Sequence, residues 1–305
     1  MTVGPPVLNT LGAYRVSVVV PTRNRPDLLS SCLSAVAASG EGSTVELIVV
    51  DDGSTVPVAP QSLPPNIATT LLRLEGVGPA AARNAGLAAA RGDIVLFTDD
   101  DTVPFAAWIP AAVMYLDSHP EAVGVTGPIR SVAWDPLYEQ SIEADAAGHQ
   151  WTCNIGYRRS VLVALRGFRA EAFTYAHAED RDLAIRAMDV GAIGFADAME
   201  VAHTPRRMSL RTVVRQARWA SDDLTLYALH PHLTNDFTLP VRLALVVGAG
   251  RRWLSAATHQ RSERSATRLL RGAGLGIVAS VATAWTVLRT PSARVLRSKH
   301  ATPTT

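Results

Sequence analysis

A short apolar run meets three acidic residues in the sequence Ile94-Val95-Leu96-Phe97-Thr98-Asp99-Asp100-Asp101-Thr102. The apolar run predicts a buried strand, and Arg91-Gly92-Asp93 before it predicts a turn. Three adjacent carboxylates repel one another and are costly to remove from water, so a cation is expected beside them. Mg²⁺ or Mn²⁺ suits them, because these ions bind one or two carboxylates and leave other positions to water and phosphate. Alone, the triplet favours a solvated acidic turn that caps the next helix, and the rest of the chain changes this balance.

The composition describes a folded protein of 305 residues with an uneven charge distribution. Hydrophobic residues make up 48% and charged residues 18%, which excludes a disordered chain. From Leu239 onward, ten Arg and one Lys face the single acid Glu263, whereas the formal net charge of the whole chain is only +2. The acidic part suits a metal-dependent site. The basic end suits an anionic partner, either membrane phospholipid or nucleic acid.

The two cysteines, Cys32 and Cys153, provide neither a disulfide framework nor a metal-binding spacing. This composition favours a reducing, intracellular compartment. Residues 1–14 lack the pattern of a secretory signal. We therefore expect a cytoplasmic protein, either free or peripheral on the inner face of the cell membrane.

Strand and helix patterns alternate over about the first hundred residues, which is typical of an α/β fold with a mainly parallel sheet. Predicted strands are Arg15–Val20, Val45–Val50, Thr69–Leu74 and Ile94–Phe97, with helices after Asp27 and from Gly78 to Ala90. Polar clusters follow three of these strands and should converge at one edge of the sheet. They are Pro21-Thr22-Arg23-Asn24, Asp51-Asp52-Gly53-Ser54 and Asp99-Asp100-Asp101.

The pattern is less regular after Thr102. Further strands are predicted at Ala122–Ile129 and Trp151–Tyr157, and further helices at Trp108–Leu116, Arg159–Leu165, Ala178–Val190 and Ser209–Leu229.

Five short motifs over about Arg15 to His203 together resemble the family 2 glycosyltransferases. They are Val18-Val19-Val20-Pro21-Thr22-Arg23-Asn24-Arg25, Ile48-Val49-Val50-Asp51-Asp52-Gly53-Ser54, Ala82-Arg83-Asn84-Ala85-Gly86, Leu96-Phe97-Thr98-Asp99-Asp100-Asp101 and Ala178-Glu179-Asp180-Arg181-Asp182-Leu183 with Arg186. Each string is weak alone, but five in the expected order and spacing are strong. The resemblance implies a GT-A fold, with a Rossmann-like, mainly parallel central sheet flanked by helices. It also implies an inverting transfer of one sugar from a nucleotide-diphosphate sugar to an acceptor hydroxyl, in cell-envelope glycan or glycolipid synthesis.

The resemblance implies a set of nucleotide-sugar-binding residues, namely Pro21, Thr22, Arg23, Asp51, Asp52, Arg83, Asp99 and Asp100. Asp51 or Asp52 would accept hydrogen bonds from the base or ribose. The alternative for this pair is a turn held by side-chain to backbone bonds, followed by a positive φ at Gly53. Arg83 would pair with the base edge or the diphosphate, and its alternative is an arginine on a helix surface.

The resemblance matches Asp99 and Asp101 to the Asp-x-Asp motif of the family. Asp101 is the expected direct metal ligand, and His203 is expected either to complete the metal shell or to be structural. Asp99 would act through ribose or water. Asp100, in the middle, should point the other way and support structure.

Glu179-Asp180 stands at the start of a predicted helix. The resemblance assigns Asp180 as the general base that removes the acceptor's proton, with Glu179 assisting or orienting the acceptor. The alternative is that these acids stabilise the N-terminus of the helix.

The acceptor pocket implied by the resemblance is formed by Trp151, Asn154, Gly167, Phe168 and His177. Aromatic side chains here could stack on a sugar ring or be ordinary core residues. Arg166 stands where the family often has a second glycine, and residues 128–150 match no motif, so the acceptor is the least defined partner. It would be a glycan or a lipid-linked molecule.

The predicted organisation is a catalytic domain at residues 1–235 and a basic helical extension at residues 236–305. The nucleotide-sugar half would span about 15–102 and the acceptor half about 103–235. In the extension, Gly272–Leu288 holds seventeen residues without a charge, the short limit for a bilayer span. Its helices are expected either to lie on an anionic membrane or to pack on the catalytic domain or a second subunit. Residues after Lys299 are expected to be disordered.

Competing functions predict features that the sequence lacks. A sugar nucleotidyltransferase predicts a Gly-rich basic loop after the first strand, and none is present. A non-catalytic nucleotide-sugar-binding protein predicts damage at Asp101 or Asp180, and both acids are intact. Nucleic acid is not expected as a partner, because the basic end has little aromatic interleaving.

Overall fold

The computed structural model describes residues 14–40, 44–132, 134–173, 175, 177–233, 239–258, 266–291 and 296. In these residues the strands are β1 (Val16–Thr22), β2 (Val45–Asp52), β3 (Ala68–Leu74), β4 (Ile94–Phe97), β5 (Thr102–Pro104), β6 (Ala122–Thr126), β7 (Ile129–Ser131), β8 (Glu139–Gln140), β9 (Ile155–Arg158), β10 (Ala192–Phe195), β11 (Val201–His203) and β12 (Arg206–Arg207). The helices are α1 (Pro26–Ser39), α2 (Pro79–Ala89), α3 (Trp108–Ser118), α4 (Arg159–Ala164), α5 (Glu179–Met188), α6 (Leu210–Gln216), α7 (Trp219–Leu229), α8 (Leu239–Thr258) and α9 (Ala266–Arg289).

The chain forms two compact units. The sheet unit comprises the described residues within 14–132, 142–170 and 180–204, and the helical unit comprises those within 134–141, 171–179 and 205–296. Helices α6 and α7 lie in the helical unit, although residues up to 235 were expected in the catalytic domain. The functional boundary at residue 235 stays a prediction.

A seven-stranded sheet organises the sheet unit, with the strand order β10-β6-β9-β4-β1-β2-β3. The neighbours β4-β1-β2-β3 and β10-β6 are parallel, and only β9 runs antiparallel to its neighbours within this sheet. The mainly parallel α/β sheet predicted from the sequence is therefore confirmed. Since parallel strands end at one edge, the loops after β1, β2 and β4 meet there.

Both faces of this sheet are covered, which explains why the central strands are continuously apolar. Side chains of α1 and α3 pack on one face, and side chains of α2, α4 and α5 pack on the other. Gly86 lets α2 approach β1 closely, because a Cβ at this position would lie 2.4 Å from Val19 Cγ1. This contact positions the α2 side chains, including Arg83, beside the strands.

The structure corrects two strand predictions. The strand predicted at Ala122–Ile129 is two strands, since Gly127 packs against the Met199 carbonyl and the chain turns there into β7. β7 then joins β11 and β5 in a separate three-stranded sheet. The strand predicted at Trp151–Tyr157 begins only at Ile155, because a turn closes with the Asn154 amide donating to the Trp151 carbonyl.

The prediction of one helix at Ser209–Leu229 is wrong, because the structure has two helices in this range, α6 and α7. The break falls at Ala217 and Arg218, where the Arg218 amide donates to the carbonyl three residues back, at 3.1 Å. This tighter turn redirects the chain. No glycine or proline marks the position, so the sequence pattern continues through it.

Helices α8 and α9 form an antiparallel pair in the helical unit, in which Gly272 faces Ala257 and Gly250 faces Ser280. A Cβ on Gly272 would lie 2.4 Å from the Ala257 Cβ, so these helices touch where their residues are small. α9 also packs against α6 and α7. In the described part of the chain, one helical stretch is long and apolar enough to cross a bilayer, Leu269–Arg289. The disorder predicted after Lys299 lies outside the described residues.

Candidate active site

The middle carboxylate of the acidic triplet is tied into the sheet unit. Asp100 is buried and accepts hydrogen bonds from Thr22 Oγ1 and Arg25 Nη1, each at 2.7 Å. Burial raises the pKa of Asp100 above its usual value and outweighs the lowering effect of Arg25. Burial works to lower the pKa of Arg25, but the neighbouring carboxylates, Asp100 foremost, raise it above its usual value. These contacts are those of the structural role expected for Asp100.

Asp101 and His203 lie close together because β5 and β11 pair in the three-stranded sheet. His203 on β11 pairs with Thr102 on β5, and the Thr204 amide donates to the Asp101 carbonyl at 2.9 Å. This register brings His203 Nε2 to 3.8 Å from Asp101 Oδ1, with both residues buried. The two side chains are separated by a hundred residues in the sequence, and the strand pairing explains their proximity.

This pair fits a divalent cation. A carboxylate oxygen and an imidazole nitrogen 3.8 Å apart can both reach one Mn²⁺ or Mg²⁺ ion, whose ligand bonds are about 2.1 Å long. The described residues hold no group of three or more His, Cys, Asp or Glu arranged for a metal. Such ions usually take only one or two protein ligands and complete their shell with water and substrate phosphate. The pair therefore suits an ion that binds together with a diphosphate.

Arg83 lies inside the site instead of on the surface of its helix. Its Nη2 donates to Asp99 Oδ1 at 2.8 Å, and the guanidinium lies 5.8 Å from the ring centre of Phe168. Arg83 is only 5% exposed, which argues against the helix-surface alternative. The Asp99 side chain keeps 29% exposure, so this pair stays reachable from solvent.

Asp51, near the end of β2, stabilises the turn that follows this strand. Asp51 Oδ1 accepts from the Ser54 amide at 2.8 Å and Oδ2 accepts from the Val58 amide at 3.0 Å, while Arg73 pairs with the same carboxylate. Burial favours a higher pKa, but the hydrogen bonds from Ser54 and Val58 and the charge of Arg73 lower the pKa of Asp51 below its usual value. Gly53 follows at φ +76°. The turn alternative thus describes Asp51, and a contact with a nucleotide stays a prediction.

Asp52 and Arg23 line the loop after β3. Asp52 accepts hydrogen bonds from the amides of Val77 at 2.7 Å and Gly78 at 2.9 Å. The exposed Arg23 guanidinium lies over Gly76, where a Cβ would come within 3.1 Å of Nη1. Pro21, the remaining predicted residue of this group, pairs with Val50 in the sheet. The loops after β1, β2 and β3 therefore meet at one edge, as expected for parallel strands.

The predicted general base Asp180 belongs to the sheet unit. The pKa of the buried Cys153 thiol is raised well above its usual value, first by burial and then by the charges of Asp99, Asp101 and Asp180. Asp180 stands in the first turn of α5, half-buried, with Oδ1 accepting from the Arg181 amide at 2.8 Å. Glu179 before it is buried. The charge of Asp180 therefore acts on Cys153 together with those of Asp99 and Asp101, and its role as general base stays a prediction.

Three of the predicted acceptor residues are part of the packed framework. The side-chain Nδ2 of Asn154 donates to the carbonyls of Pro128 and Met199, and its Oδ1 accepts from Trp108 Nε1 at 2.8 Å. Phe168 packs edge-on against Phe97, with ring centres 5.3 Å apart. These contacts do not expose a surface to an acceptor, and the predicted acceptor role of Asn154 and Phe168 stays a prediction.

Gly167 is the third of these residues, and its backbone explains its identity. It lies at φ +64°, and a Cβ would come within 2.4 Å of Asn84 Oδ1. Arg166 before it also has a positive φ, +58°. The family's second glycine therefore corresponds to a real left-handed position, which here carries a side chain.

Trp151 and His177 lie in different units. Trp151 is half-buried in the sheet unit and stacks on His149, with ring centres 4.6 Å apart. His177 belongs to the helical unit, where it stacks on Trp219 and has Nε2 3.1 Å from Asp223 Oδ1. Their predicted acceptor roles stay predictions.

The sequence analysis assigned no role to Arg25 or Cys153. Arg25 contacts two carboxylates of the triplet, with Nη1 also 3.4 Å from Asp101 Oδ2. It directly follows the polar cluster Pro21-Thr22-Arg23-Asn24 and ends the first motif of the resemblance, and this position was the available signal. Cys153 carried no such signal, because its place depends on β9 and the turn before it.

A carboxylate-rich site at the edge of a Rossmann-like, mainly parallel sheet defines an α/β protein of the GT-A class. The fold is similar to that of the mannosyltransferase PcManGT from Pyrobaculum calidifontis, solved in complex with GDP-Man and Mn²⁺. The two structures have a TM-score of 0.57 and 20% sequence identity, over 92% of this chain and 91% of the other. This likeness shows the fold alone.

The family follows from the sequence comparison. The family model described as Glycosyl transferase family 2 matches residues 17–166, and this domain belongs to that family. The pre-mycofactocin glycosyltransferase of Mycobacterium tuberculosis is 29% identical over 238 residues, covering 72% of this chain and 49% of the relative. An N-acetylglucosaminyltransferase of Rhizobium sp. (strain N33) is 30% identical over 279 residues, covering 77% and 61%. The chain thus spans about half the length of the first of these relatives. The predicted family and GT-A fold are confirmed.

Proposed function

We propose that this chain is a metal-dependent, inverting glycosyltransferase that moves one sugar from a nucleotide-diphosphate sugar to an acceptor hydroxyl. The observation that carries the proposal is the position of Asp101 and His203, with Oδ1 and Nε2 3.8 Å apart, two residues after Asp99, which pairs with Arg83. These groups come from distant parts of the chain, and the fold brings them to the edge of the sheet where α/β proteins bind ligands.

The donor would bind along this edge. Arg83 and Arg25 carry the positive charges that suit a diphosphate, and the exposed part of Asp99 can accept a hydrogen bond from ribose. Asp101 and His203 would hold Mg²⁺ or Mn²⁺, which supplies charge that stabilises the departing diphosphate. The Mn²⁺ and GDP-Man in the similar mannosyltransferase structure support this assignment.

Asp180 would act as the general base. It accepts the proton of the acceptor hydroxyl as the acceptor oxygen forms a bond to the anomeric carbon of the sugar. The bond between that carbon and the diphosphate oxygen breaks on the opposite side, so the anomeric configuration inverts. Glu179, which directly precedes Asp180, would orient the acceptor.

The acceptor side of the proposal includes a membrane. Between Leu239 and the C-terminus the only acid is Glu263, so helices α8 and α9 present arginines to their surroundings. A lipid-linked acceptor in cell-envelope glycan or glycolipid synthesis would fit a protein that binds the inner face of the membrane. Only 28% of the apolar window in α9 is buried, which supports a surface that contacts another partner.

Calorimetric titration with UDP, GDP and dTDP, in Mn²⁺ and then in EDTA, tests the proposal. We expect one nucleotide to bind in Mn²⁺ and to lose most of its affinity in EDTA. Equal binding in EDTA would remove the metal from the proposal. If the folded protein binds none of the three, the proposed donor site is wrong. Metal-dependent binding without any transfer would favour a non-catalytic member of the family.

A further inference from the structure

The helical unit contains a pocket of about 590 Å³ bordered by α6, α7 and α9. Its polar side-chain groups are two guanidinium groups, four hydroxyls and one indole, from Arg218, Arg289, Tyr175, Ser221, Thr286, Thr290 and Trp285. None of the described residues that line it is an aspartate or a glutamate. The Thr286 and Thr290 hydroxyls donate to carbonyls of α9. The suitability of the pocket for an anion therefore rests on its two cations and on the lack of an acid among the described lining residues.

The two arginines are held by aromatic rings instead of by carboxylates. The Arg218 guanidinium carbon lies 5.8 Å from the ring centre of Tyr175, and that of Arg289 lies 3.9 Å from the ring centre of Trp285. In the part of the chain that the structure describes, neither guanidinium forms an ion pair with a carboxylate. Both arginines are exposed. Stacking leaves the N–H groups at the guanidinium edge available, and that edge matches the oxygens of a phosphate.

The loop that carries Tyr175 is anchored to the same unit. The Tyr175 amide donates to Asp222 Oδ2 at 2.9 Å, and Asp222 is buried in α7. This part-buried hydrogen bond holds the Tyr175 backbone, so the loop that carries the ring beside Arg218 is fixed within the helical unit.

An exposed apolar stripe on α9 continues from the pocket. It consists of Ile277, Val281, Trp285 and Leu288, which are 66%, 65%, 58% and 80% exposed. Their spacing of four, four and three residues places them on one helix face. Trp285 belongs both to the stripe and to the pocket wall. Water alone is a costly surrounding for such a face, and a Trp beside an Arg at its end is typical of a helix at a membrane–water interface.

We propose that this pocket binds the phosphate group of an anionic membrane lipid while the α9 stripe enters the interfacial layer of the bilayer. Charge complementarity identifies the occupant, since no carboxylate among the described residues pairs with the two cations of the pocket and α9 contains no acid. The proposal specifies the membrane contact that forms part of the proposed function, and it does not depend on the sugar-transfer site.

Vesicle sedimentation tests the site with the full chain. We expect binding to vesicles of phosphatidylcholine with phosphatidylglycerol and little binding to phosphatidylcholine alone. The double variant Arg218→Gln/Arg289→Gln should bind the anionic vesicles roughly thirty-fold more weakly, because each arginine near such a surface contributes roughly five-fold. The matched control Arg211→Gln/Arg215→Gln removes the same charge from exposed positions on α6 that do not line the pocket. It should lose much less.

If the two double variants lose the same affinity for anionic vesicles, the attraction is diffuse and the pocket is not the lipid-binding site. A second variant, Val281→Glu, places a charge on the stripe and should weaken vesicle binding without changing binding of inorganic phosphate. If inorganic phosphate binds but vesicles do not, the site serves a free phosphate and the lipid assignment is wrong. Size-exclusion chromatography tests whether the stripe contacts a second copy of the chain instead. That would be the case if the protein is a dimer, the Val281→Glu variant is a monomer, and the protein does not bind vesicles. If the parent protein binds anionic vesicles but none of the tested nucleotides, the proposed sugar transfer is wrong and the lipid site is unaffected.

Discussion

The two compact units use their arginines in opposite ways. In the sheet unit, Arg25 pairs with Asp100, Arg83 with Asp99 and Arg73 with Asp51. In the helical unit, Arg218 and Arg289 lie on aromatic rings, and within the described residues neither has a carboxylate opposite. Charges of the first kind hold a site together from inside, whereas charges of the second kind are open to an anionic partner. On this difference we propose that sugar transfer takes place in the sheet unit and that the helical unit makes the membrane contact.

Replacing Asp180 by Asn should cause the largest change. An amide cannot accept the acceptor's proton, so we expect kcat to fall by about a hundred- to ten-thousand-fold. Donor binding measured by calorimetry and vesicle sedimentation should both stay as in the parent protein. Glu179→Gln is the matched control, with a smaller expected loss. Normal turnover by the Asp180→Asn variant would exclude Asp180 as the base.

The variant Asp101→Ala should weaken Mn²⁺-dependent nucleotide binding by at least about ten-fold. Even residues that only support metal ligands typically cost ten- to a hundred-fold in metal affinity, and a direct ligand should cost no less. Calorimetry in Mn²⁺ and in EDTA measures the effect, and binding in EDTA should not change. Asp100→Asn serves as the control, because Asp100 is held by Thr22 and Arg25. If Asp101→Ala keeps its Mn²⁺-dependent affinity, Asp101 does not bind the metal.

Two carboxylates of the sheet unit should affect stability in opposite directions. The folded state lowers the pKa of Asp51, so its ionised form stabilises the fold above the unfolded pKa of about 3.9, and this contribution is lost as the pH falls through the lower, folded value. The folded state raises the pKa of Asp100, so its ionisation opposes folding as the pH rises through the raised value.

At neutral pH we therefore expect Asp51→Asn to lower the free energy of unfolding by about 2 kcal/mol, because a buried hydrogen bond and an arginine contact are lost. Asp100→Asn should change it by less than half as much. Urea unfolding of both variants at neutral pH and near pH 4 measures the difference. A larger loss for Asp100→Asn than for Asp51→Asn would contradict the contrast.

The smallest effect is expected at Arg166. Its φ of +58° is a left-handed conformation that costs energy for any residue with a Cβ. Arg166→Gly should raise the free energy of unfolding by about 0.5 kcal/mol, since relief of strain is partly offset by the flexibility of glycine when unfolded. Arg166→Ala keeps the Cβ and should leave the thermal midpoint nearly unchanged. Equal midpoints for both variants would show that the backbone is unstrained.

Much of the nucleotide edge could be predicted from the sequence, because it depends on local patterns. Apolar runs predicted β1 to β4 to within two residues, and parallel strands necessarily bring their following loops together. The structural role expected for Asp100 fits its hydrogen bonds from Thr22 and Arg25, made in a turn that the Thr102 amide closes on the Asp99 carbonyl. These inferences needed no knowledge of long-range pairing.

The remaining features depend on contacts that local patterns do not encode. His203 reaches Asp101 only because β11 pairs with β5 in one register. Asn154 looks like a polar pocket residue in the sequence, yet its amide bridges two carbonyls and an indole. The break between α6 and α7 has no glycine or proline to announce it.

The two cysteines have a practical consequence for following the molecule in solution. Cys32 Sγ lies 3.4 Å from the Asp99 carbonyl, and the Cys153 carbonyl accepts a hydrogen bond from Thr98 Oγ1 at 2.9 Å, so both thiols adjoin the end of β4. Both are buried, with the thiol pKa raised well above its usual value, and alkylating reagents attack only exposed thiolates. Their labelling rate therefore measures how often this edge of the sheet opens. A bound nucleotide that holds this edge closed should lower the labelling rate of both cysteines.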